Sequence, residues 1–404
     1  MEDVRTFSLL LPDWSMRSFA MNSIAIYTRS ALRLVVGSAL LALLVGCDNL
    51  TDIEGGEQSS LRIAEVVSAN AGAFGDNTSS LTTIDPENET ASTTPSFSSA
   101  IQSHVVTNNR IFVAFEEEAA IGIFDLETKE EVGRIEDIEH PRYMITDGFT
   151  LYATRYNPDA ETPNPEVVVV NVSERTVTER IPLELPPQGL TVIGNSLFIA
   201  TSGINEDGEH VTQIPIIERG FYDREGTINP DCEGGRALFT SRQERLVLAC
   251  SGATLYNDEG EVVEETNGAL LTINPLTAVA EDVENVPGQL TSAADRQRAF
   301  FDGFNQELYV TLEGNTVVRY TLPRSENGQD VPSETTQIPV DGPPIGALAY
   351  DPINDRLYLG RPDTNNPFDE PGAITVHDRE GAQLQSYEAG VAPGHIVLSA
   401  EEEE

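Results

Sequence analysis

A repeat of short strands, with a period near fifty residues, constrains the fold of this chain most strongly. Each copy contains a strand with an aromatic or large apolar residue at its centre. These central positions are Phe112, Tyr152, Phe198, Val247, Tyr309 and Tyr358. They are separated by 40, 46, 49, 62 and 49 residues. No helical period interrupts the strands, and about 40 to 50 residues is the size of one four-stranded blade in a radial β-repeat.

Two further features frame each copy. A proline opens the strand before the aromatic strand at Pro141, Pro187, Pro287 and Pro344, and proline suits the first position of a strand because no ladder donor is lost there. The strand after the aromatic one ends in Asp or Asn, at Asp125, Asn171, Asn274 and Asp378. We expect these side chains to close the turn into a fourth strand.

Counting the copies predicts the architecture. Six complete units cover 101–135, 141–181, 187–228, 230–283, 287–338 and 344–388. Residues 61–94 lack a first strand, whereas Pro393–Leu398 supplies only a first strand, so the two ends complete one another. A closed ring protects its strand edges. The sequence therefore predicts an all-β, seven-bladed β-propeller over 61–400, closed by pairing the C-terminal strand with the N-terminal blade and followed by an acidic tail, 401–404.

The N-terminal segment has the pattern of a secretory signal peptide. Arg29 and Arg33 precede an apolar run, Leu34–Val45, which is too short to span a bilayer. We interpret 1–46 as an upstream extension and signal peptide, with translation expected to start at Met21 because residues 1–20 carry acidic side chains.

The sequence Leu44-Val45-Gly46-Cys47 resembles the bacterial lipobox, in which the cysteine is lipidated and becomes the first mature residue. This resemblance implies that Cys47 carries the lipid, that 47–60 is a polar tether, and that the membrane is a partner through the anchor. We expect a cell-envelope location on the periplasmic or cell-surface side. Because that compartment is oxidising, Cys232 and Cys250 are predicted to form a disulfide.

The charge of the chain limits its partners. There are 66 acidic and 24 basic side chains, which gives a net charge of −42 and argues against binding nucleic acid. A carboxylate-rich, lysine-poor surface suits concentrated salt, so a halophilic source is expected. The hydrophobic fraction of 39% is still sufficient for a globular core.

The repeated pattern Pro-x-x-Leu, Leu-Tyr-Val, then hydrophobic-x-hydrophobic-Asp resembles the YVTN-type seven-bladed propellers of bacterial envelopes. Val66–Gly75 and Pro141-Arg-Tyr143 resemble a lipid-anchored branch that includes corrinoid-capturing surface lipoproteins working beside TonB-dependent transporters. The resemblance implies a corrinoid as one candidate ligand. It also implies a TonB-dependent transporter or another envelope protein as a candidate partner. No cofactor is predicted.

Long insertions fall in the second-to-third strand connections, which emerge on one face of a propeller. These insertions are 70–80, 155–165, 202–209, 251–267 and 361–371. Insertions gathered on one face predict a binding face. The residues expected around its central mouth are Arg142, Tyr143, Arg155, Tyr156, Gln188, Tyr256, Arg361 and His395. In the alternative interpretation, Arg142 and Arg361 neutralise nearby carboxylates such as Glu139 and Asp363.

No catalytic motif is present: there is no Gly-x-Ser-x-Gly, no His-Glu-x-x-His, no phosphate loop and no Cys-x-x-Cys. His140 and His395 both lie beside strand-opening prolines, but they do not form a ligand motif and no metal is predicted. A non-enzymatic binding module is therefore the main hypothesis, and a nutrient-capture subunit is a sharper version of it. A lactonase or quinone-linked dehydrogenase remains an alternative by fold analogy alone.

Overall fold

The computed structural model describes residues 61–73, 78–157, 164–204, 209–256, 261–290, 299–312, 315–326 and 329–402. The predicted signal peptide, Cys47 and the tether lie outside the described residues. No helix in the described part of the chain is long and apolar enough to cross a membrane.

Every regular element in the described residues is a β-strand, and antiparallel pairing joins these strands into seven four-stranded sheets, the blades, and two two-stranded hairpins. Blade 1 begins with β1 (Leu61–Asn70), β2 (Ser80–Asp85) and β3 (Thr90–Thr93). Blade 2 contains β4 (Ile101–Thr107), β5 (Arg110–Phe115), β6 (Ala120–Asp125) and β7 (Glu131–Ile135). Blade 3 contains β8 (Pro141–Thr146), β9 (Thr150–Arg155), β10 (Glu166–Asn171) and β11 (Thr176–Pro182). Blade 4 contains β12 (Pro187–Ile193), β13 (Ser196–Ile204), β14 (His210–Glu218) and β15 (Arg224–Ile228).

The remaining blades carry two additional hairpins. Blade 5 contains β16 (Gly235–Thr240), β17 (Leu246–Cys250), the hairpin β18 (Thr254–Tyr256) and β19 (Val262–Glu265), then β20 (Ala269–Asn274) and β21 (Val279–Asn285). Blade 6 contains β22 (Ala299–Asp302), β23 (Glu307–Leu312), β24 (Thr316–Thr321), the hairpin β25 (Arg324–Glu326) and β26 (Gln329–Val331), then β27 (Glu334–Pro339). Blade 7 contains β28 (Ala347–Asp351), β29 (Arg356–Arg361), β30 (Pro371–Asp378) and β31 (Gln383–Val391). The last strand, β32 (Pro393–Glu402), returns to blade 1.

The ring closes through β32, which lies beside β1 as the first strand of blade 1. Val66 pairs with Leu398, Val67 with Val397 and Ala69 with His395. The predicted seven-bladed propeller, closed by its C-terminal strand, is therefore confirmed. Because β32 continues to Glu402, the first two residues of the predicted acidic tail belong to this strand.

Clusters of buried apolar side chains join each blade to the next, and the repeated aromatic positions lie in them. Phe112 packs in a cluster with Leu151 of blade 3, and Tyr309 packs in a cluster with Leu357 of blade 7. Tyr358 lies in the cluster that contains Ile396 of β32. Fully burying such a side chain contributes roughly 1.5–3 kcal/mol, so the aromatic repeat stabilises the ring at the junctions between its blades.

The Asp and Asn residues that end third strands close the following turns, as predicted. The Asp125 carboxylate accepts hydrogen bonds from the backbone N–H groups of Glu127 and Thr128, both at 3.1 Å. Backbone N–H groups of the following turn also donate to the side-chain oxygens at four equivalent positions: Asp85, Asn171, Asn274 and Asp378. These residues are therefore explained by turn geometry without a ligand.

Insertions concentrate on the face that carries the second-to-third connections and the entries to the first strands, here called the loop-rich face. The hairpin β18–β19 belongs to this face, whereas β25–β26 lies in a third-to-fourth connection and so on the opposite face. Blade 6 departs from the predicted strand at Pro287. Leu290 makes a single bridge to Leu312, and the regular first strand begins at Ala299.

Candidate functional site

A register shift recurs near the start of the first strand in several blades. The pairing skips one residue between Ile101 and Ser103, between Pro187 and Gly189, and between Gly235 and Ala237, and it skips two residues after Pro141. Bulges of this kind re-aim a side chain at the rim of a sheet. The second residues of these strands are called the bulge positions: Gln102, Arg142, Gln188 and Arg236.

Only two of the bulge positions, Arg142 and Gln188, belong to the set that the sequence predicts. Gln102 and Arg236 were missed because Ile101 and Gly235, rather than proline, open their strands. Both residues could have been identified by their position, because each is the second residue of the first strand in its blade.

A pocket of about 590 Å³ opens on the loop-rich face above blades 4 and 5. We call it the blade 4–5 pocket. It is formed by the starts of β12 and β16, the ends of β13 and β17, and the hairpin β18–β19. Its polar lining side chains are Gln188, Ser202, His210, Arg236, Ser251, Thr254, Glu265 and Gln289. Its volume lies within the range of small-molecule sites, roughly 300–1,000 Å³.

Arg236 supplies the positive charge of the pocket. Its Nη1 donates to Gln188 Oε1 at 3.3 Å, whereas its Nε is buried and has no hydrogen-bond partner among the described residues. No described carboxylate lies within ion-pair distance of this guanidinium, although other arginines of the chain, such as Arg155 and Arg245, are paired with acids. Arg236 is therefore a cation that the described protein leaves without a counter-charge.

A disulfide stabilises one wall of the blade 4–5 pocket. Cys232 and Cys250 are joined with a Cα–Cα distance of 6.2 Å. Directly beside this link, Ser251 N–H donates to the Gly234 carbonyl at 2.9 Å and Gly252 N–H donates to the Glu233 carbonyl at 3.1 Å. Since Gly234, Ser251 and Gly252 all line the pocket, the disulfide holds together the two segments that form one wall.

Four of the predicted residues lie together at the loop-rich end of blade 3: Arg142, Tyr143, Arg155 and Tyr156. The two arginines already make hydrogen bonds or ion pairs with other groups of the protein. Arg142 Nε donates to the Tyr156 carbonyl at 3.0 Å. Arg155 makes ion pairs with Glu139 at 2.7 Å and with Glu166 at 3.3 Å. Arg155 thus neutralises Glu139, whereas Arg142 lies 3.8 Å from the carboxylate of Glu116 and pairs with that acid instead. Tyr143 is half-buried and packs beside the apolar cluster between blades 3 and 4.

A carboxylate–imidazole pair that the sequence analysis did not identify lies next to Arg142. His140 Nδ1 is 2.9 Å from Glu116 Oε1, and Asn157 Nδ2 is 3.0 Å from His140 Nε2. Because the amide donates, Nε2 accepts and Nδ1–H donates to the carboxylate. Glu116 is buried, and its Oε2 has no hydrogen-bond partner among the described residues. Glu116 begins the turn after a second strand, and its place in the sequence does not distinguish it from Glu117 and Glu118, which follow it.

Arg361 and His395 are buried and are not accessible at the mouth. Arg361 is 1% exposed, and it donates to Thr375 Oγ1 and to the Asp341 carbonyl, both at 3.2 Å. Burial lowers the pKa of Arg361 to about 10. No described carboxylate pairs with it, so neutralisation of Asp363 does not explain this residue. Its hydrogen bonds instead tie the connection between blades 6 and 7 to β29.

The other predicted positions are divided between the pocket and the ring interior. Gln188 lines the blade 4–5 pocket, and Tyr256 ends the first strand of the hairpin beside it. His395, 3% exposed, contacts His104 and not His140. Within the described ranges, no group of three or more His, Cys, Asp or Glu residues is arranged to hold a metal ion.

No protein-family model matches this chain. No curated protein matches it either. Among solved structures, hydrazine synthase of Kuenenia stuttgartiensis is 14% identical with a TM-score of 0.52, covering 73% of this chain and 92% of that one. A functionally unknown protein from Desulfotomaculum acetoxidans is 10% identical with a TM-score of 0.53, covering 83% and 98%. A protein from Lactobacillus plantarum is 12% identical with a TM-score of 0.52, covering 84% and 100%. At these identities the similarity shows the propeller fold alone.

Proposed function

We propose that this protein is a non-enzymatic binding module of the cell envelope, anchored by a lipid at Cys47, whose loop-rich face holds a small molecule or a loop of an envelope partner. The observation that carries the proposal is the blade 4–5 pocket, which is lined by residues of two insertions of the loop-rich face, 202–209 and 251–267. Its lining resembles that of polar ligand sites, in which a few convergent side chains set orientation.

The hydrogen bonds in the pocket suit the orientation of a polar ligand. Gln289 Nε2 donates to Thr254 Oγ1 at 2.9 Å, and Arg236 donates to Gln188. Amides and hydroxyls at such positions orient polar ligands, and they do not titrate near neutral pH. A sharper version of the proposal is capture of a corrinoid for a TonB-dependent transporter, with part of the ligand in this pocket.

The test combines a ligand screen with a matched pair of blocking variants. Thermal-shift measurements on a panel of polar small molecules that includes cyanocobalamin, followed by calorimetry, should identify a saturable ligand. Ser202→Trp fills the pocket and should abolish binding. Ser173→Trp, an exposed turn position on the opposite face, should leave binding unchanged. Equal binding by both variants would remove the pocket from the proposal.

The lipid anchor is tested separately. Cells expressing the full chain and fed labelled palmitate should produce a labelled protein, and Cys47→Ser should eliminate the label. A label that persists in the serine variant would contradict anchoring at this residue.

A hydrolase of the lactonase type is a second candidate, favoured by the Glu116–His140 pair. A carboxylate that orients an imidazole through Nδ1 is the arrangement of a general base, and base catalysis here requires that the substrate displace the Asn157 amide from Nε2. In that case the protein should hydrolyse γ-butyrolactone, and both His140→Asn and Glu116→Gln should reduce the rate by roughly 10²-fold or more. The absence of turnover, or turnover indifferent to both changes, would exclude this candidate.

A further inference from the structure

From the charges of the blade 4–5 pocket we infer that its ligand is a small polar molecule carrying a single carboxylate group, which binds to Arg236. This inference rests on the proposed function and specifies its ligand class. It starts from a property of the whole chain: acidic side chains outnumber basic ones by 66 to 24. An arginine in such a chain has carboxylates available from many directions, so one without a counter-charge requires an explanation.

The contacts of Arg236 show what it lacks. Its one hydrogen bond to a described residue is to a neutral amide, Gln188, at 3.3 Å, and its buried Nε has no partner there. A guanidinium carries five N–H donors in a planar fork that matches a carboxylate. A ligand carboxylate would supply both the negative charge and the acceptors that the described residues around Arg236 do not.

The backbone around Arg236 departs from a regular strand in a way that suits contact with a ligand. The register shift between Gly235 and Ala237 leaves Arg236 outside the regular ladder, and a bulge of this kind re-aims the side chain. Gly235 N–H donates to Thr212 Oγ1 at 2.9 Å, and a Cβ at Gly235 would lie 2.3 Å from Thr212 Cγ2. Only glycine allows this close approach, which brings β16 against β14 beneath the pocket.

The remaining lining groups set the rest of the ligand chemistry. Gln289, Ser202 and Thr254 offer neutral hydrogen bonds, which suit hydroxyl groups. Glu265, on the hairpin, is the acidic side chain among the described lining residues. The guanidinium of Arg236 can pair with one ligand carboxylate, and the carboxylate of Glu265 disfavours a second negative group near the hairpin. A sugar acid or a hydroxy acid has this character.

The experiment compares acids with neutral analogues of the same shape. Calorimetry and thermal shift are measured with galacturonate, gluconate and lactate against galactose, sorbitol and propane-1,2-diol. The measurements use about 1 M salt, where a Debye length of about 3 Å screens the overall negative charge of the protein. At least one acid is expected to bind roughly tenfold or more tightly than its neutral analogue, as one charge-assisted contact supplies.

Two variants with the same change in net charge assign the effect. Arg236→Gln should remove the preference for the acid. Arg175→Gln, at an exposed turn on the opposite face, should retain it. The inference is overturned if every acid of the panel fails to bind, if acids and analogues bind equally, or if Arg236→Gln keeps the preference. If Ser202→Trp abolishes the binding of a neutral ligand and Arg236→Gln does not, the pocket remains the binding site, but the inference that its ligand carries a carboxylate is overturned.

Discussion

His395 Nδ1 lies 2.8 Å from His104 Nδ1, and the two rings meet edge to face where the closing strand contacts blade 2. Both side chains are buried, and His104 Nε2 is 3.1 Å from the Val67 carbonyl, to which it donates. The backbone N–H of His104 also points at His395 Nδ1, at 3.2 Å. Adding a proton to either ring would place a charge beside a second imidazole in a buried site, at the seam that completes the ring.

The first prediction follows from this pair. Burial lowers the pKa of His395 to about 3, and burial together with the charge of His395 lowers the pKa of His104 well below 6.5. Below about pH 6.5 the two histidines bind protons in the unfolded chain but stay neutral in the folded protein. The free energy of unfolding therefore falls as the pH drops from there toward about 3. The double variant His104→Asn/His395→Asn should show a shallower loss of Tm between about pH 6.5 and pH 4 than the native chain.

The slope with pH, and not the Tm itself, is the quantity that tests this prediction. The asparagines disturb packing at every pH, and the carboxylates titrate in both proteins. Their contributions therefore cancel when the two slopes are compared. Identical slopes would show that the histidine pair does not couple proton binding to ring closure.

The second prediction concerns the glycines that admit the start of the closing strand. A Cβ at Gly360 would lie 2.9 Å from the Pro393 carbonyl oxygen and 3.0 Å from Ala347 Cβ. Gly360→Ala should therefore destabilise the protein by about 1–3 kcal/mol, because a well-packed site resists added atoms. Gly303→Ala, at a position with no atom within 4 Å, is the matched control and should leave the denaturation midpoint unchanged. A Gly360→Ala variant as stable as the native chain would contradict the close approach.

The number of blades was predictable because each blade must bury its central side chain against the next. Phe112, Tyr152 and Tyr309 recur at blade spacing for that reason, and Asp125 marks the turns by purely local geometry. The central aromatic residues and the turn residues make contacts that recur from blade to blade. The repeat in the sequence therefore predicts these contacts.

The candidate site was less predictable because its residues break the repeat. Gly235 takes the place of the expected proline before Arg236, so the proline pattern did not mark the pocket arginine. Arg361 is the last residue of β29, where an exposed mouth residue would also lie, and its burial depends on a connection twenty residues earlier that covers it. His104 and His395 are 291 residues apart, and nothing local to either predicts the contact.

The third prediction tests a buried charge between blades 6 and 7. Tyr309 Oη donates to Glu307 Oε2 at 2.8 Å, Arg379 donates to Glu307 Oε1, and burial raises the pKa of Tyr309 above its usual range. Glu307→Gln leaves Arg379, which is about three-quarters buried, without its main counter-charge. The variant should lose about 2–3 kcal/mol of unfolding free energy, somewhat less than for a fully buried pair.

The control for this change is an exposed ion pair. Glu87 pairs with Arg62, and the Glu87 side chain is 68% exposed, so solvent screens the interaction. Glu87→Gln should leave the urea midpoint within error of the native value. Equal effects of Glu87→Gln and Glu307→Gln would show that the buried network adds nothing to the junction between blades 6 and 7.

The fourth prediction separates the two roles of the disulfide between Cys232 and Cys250. Cross-linking residues 18 apart should stabilise the fold by about 3 kcal/mol, mainly by restricting the unfolded chain. Cys232→Ser/Cys250→Ser should lower the Tm accordingly. The double variant should also bind the ligand of the blade 4–5 pocket less tightly, because Gly234 and Ser251 line that pocket on either side of the disulfide.

Glu307→Gln is the control for reduced stability alone, since Glu307 lies outside the pocket. It should lower the Tm to a similar extent without changing affinity at a temperature where both variants are folded, and a parallel loss of affinity in both would refute a specific role for the disulfide in shaping the site.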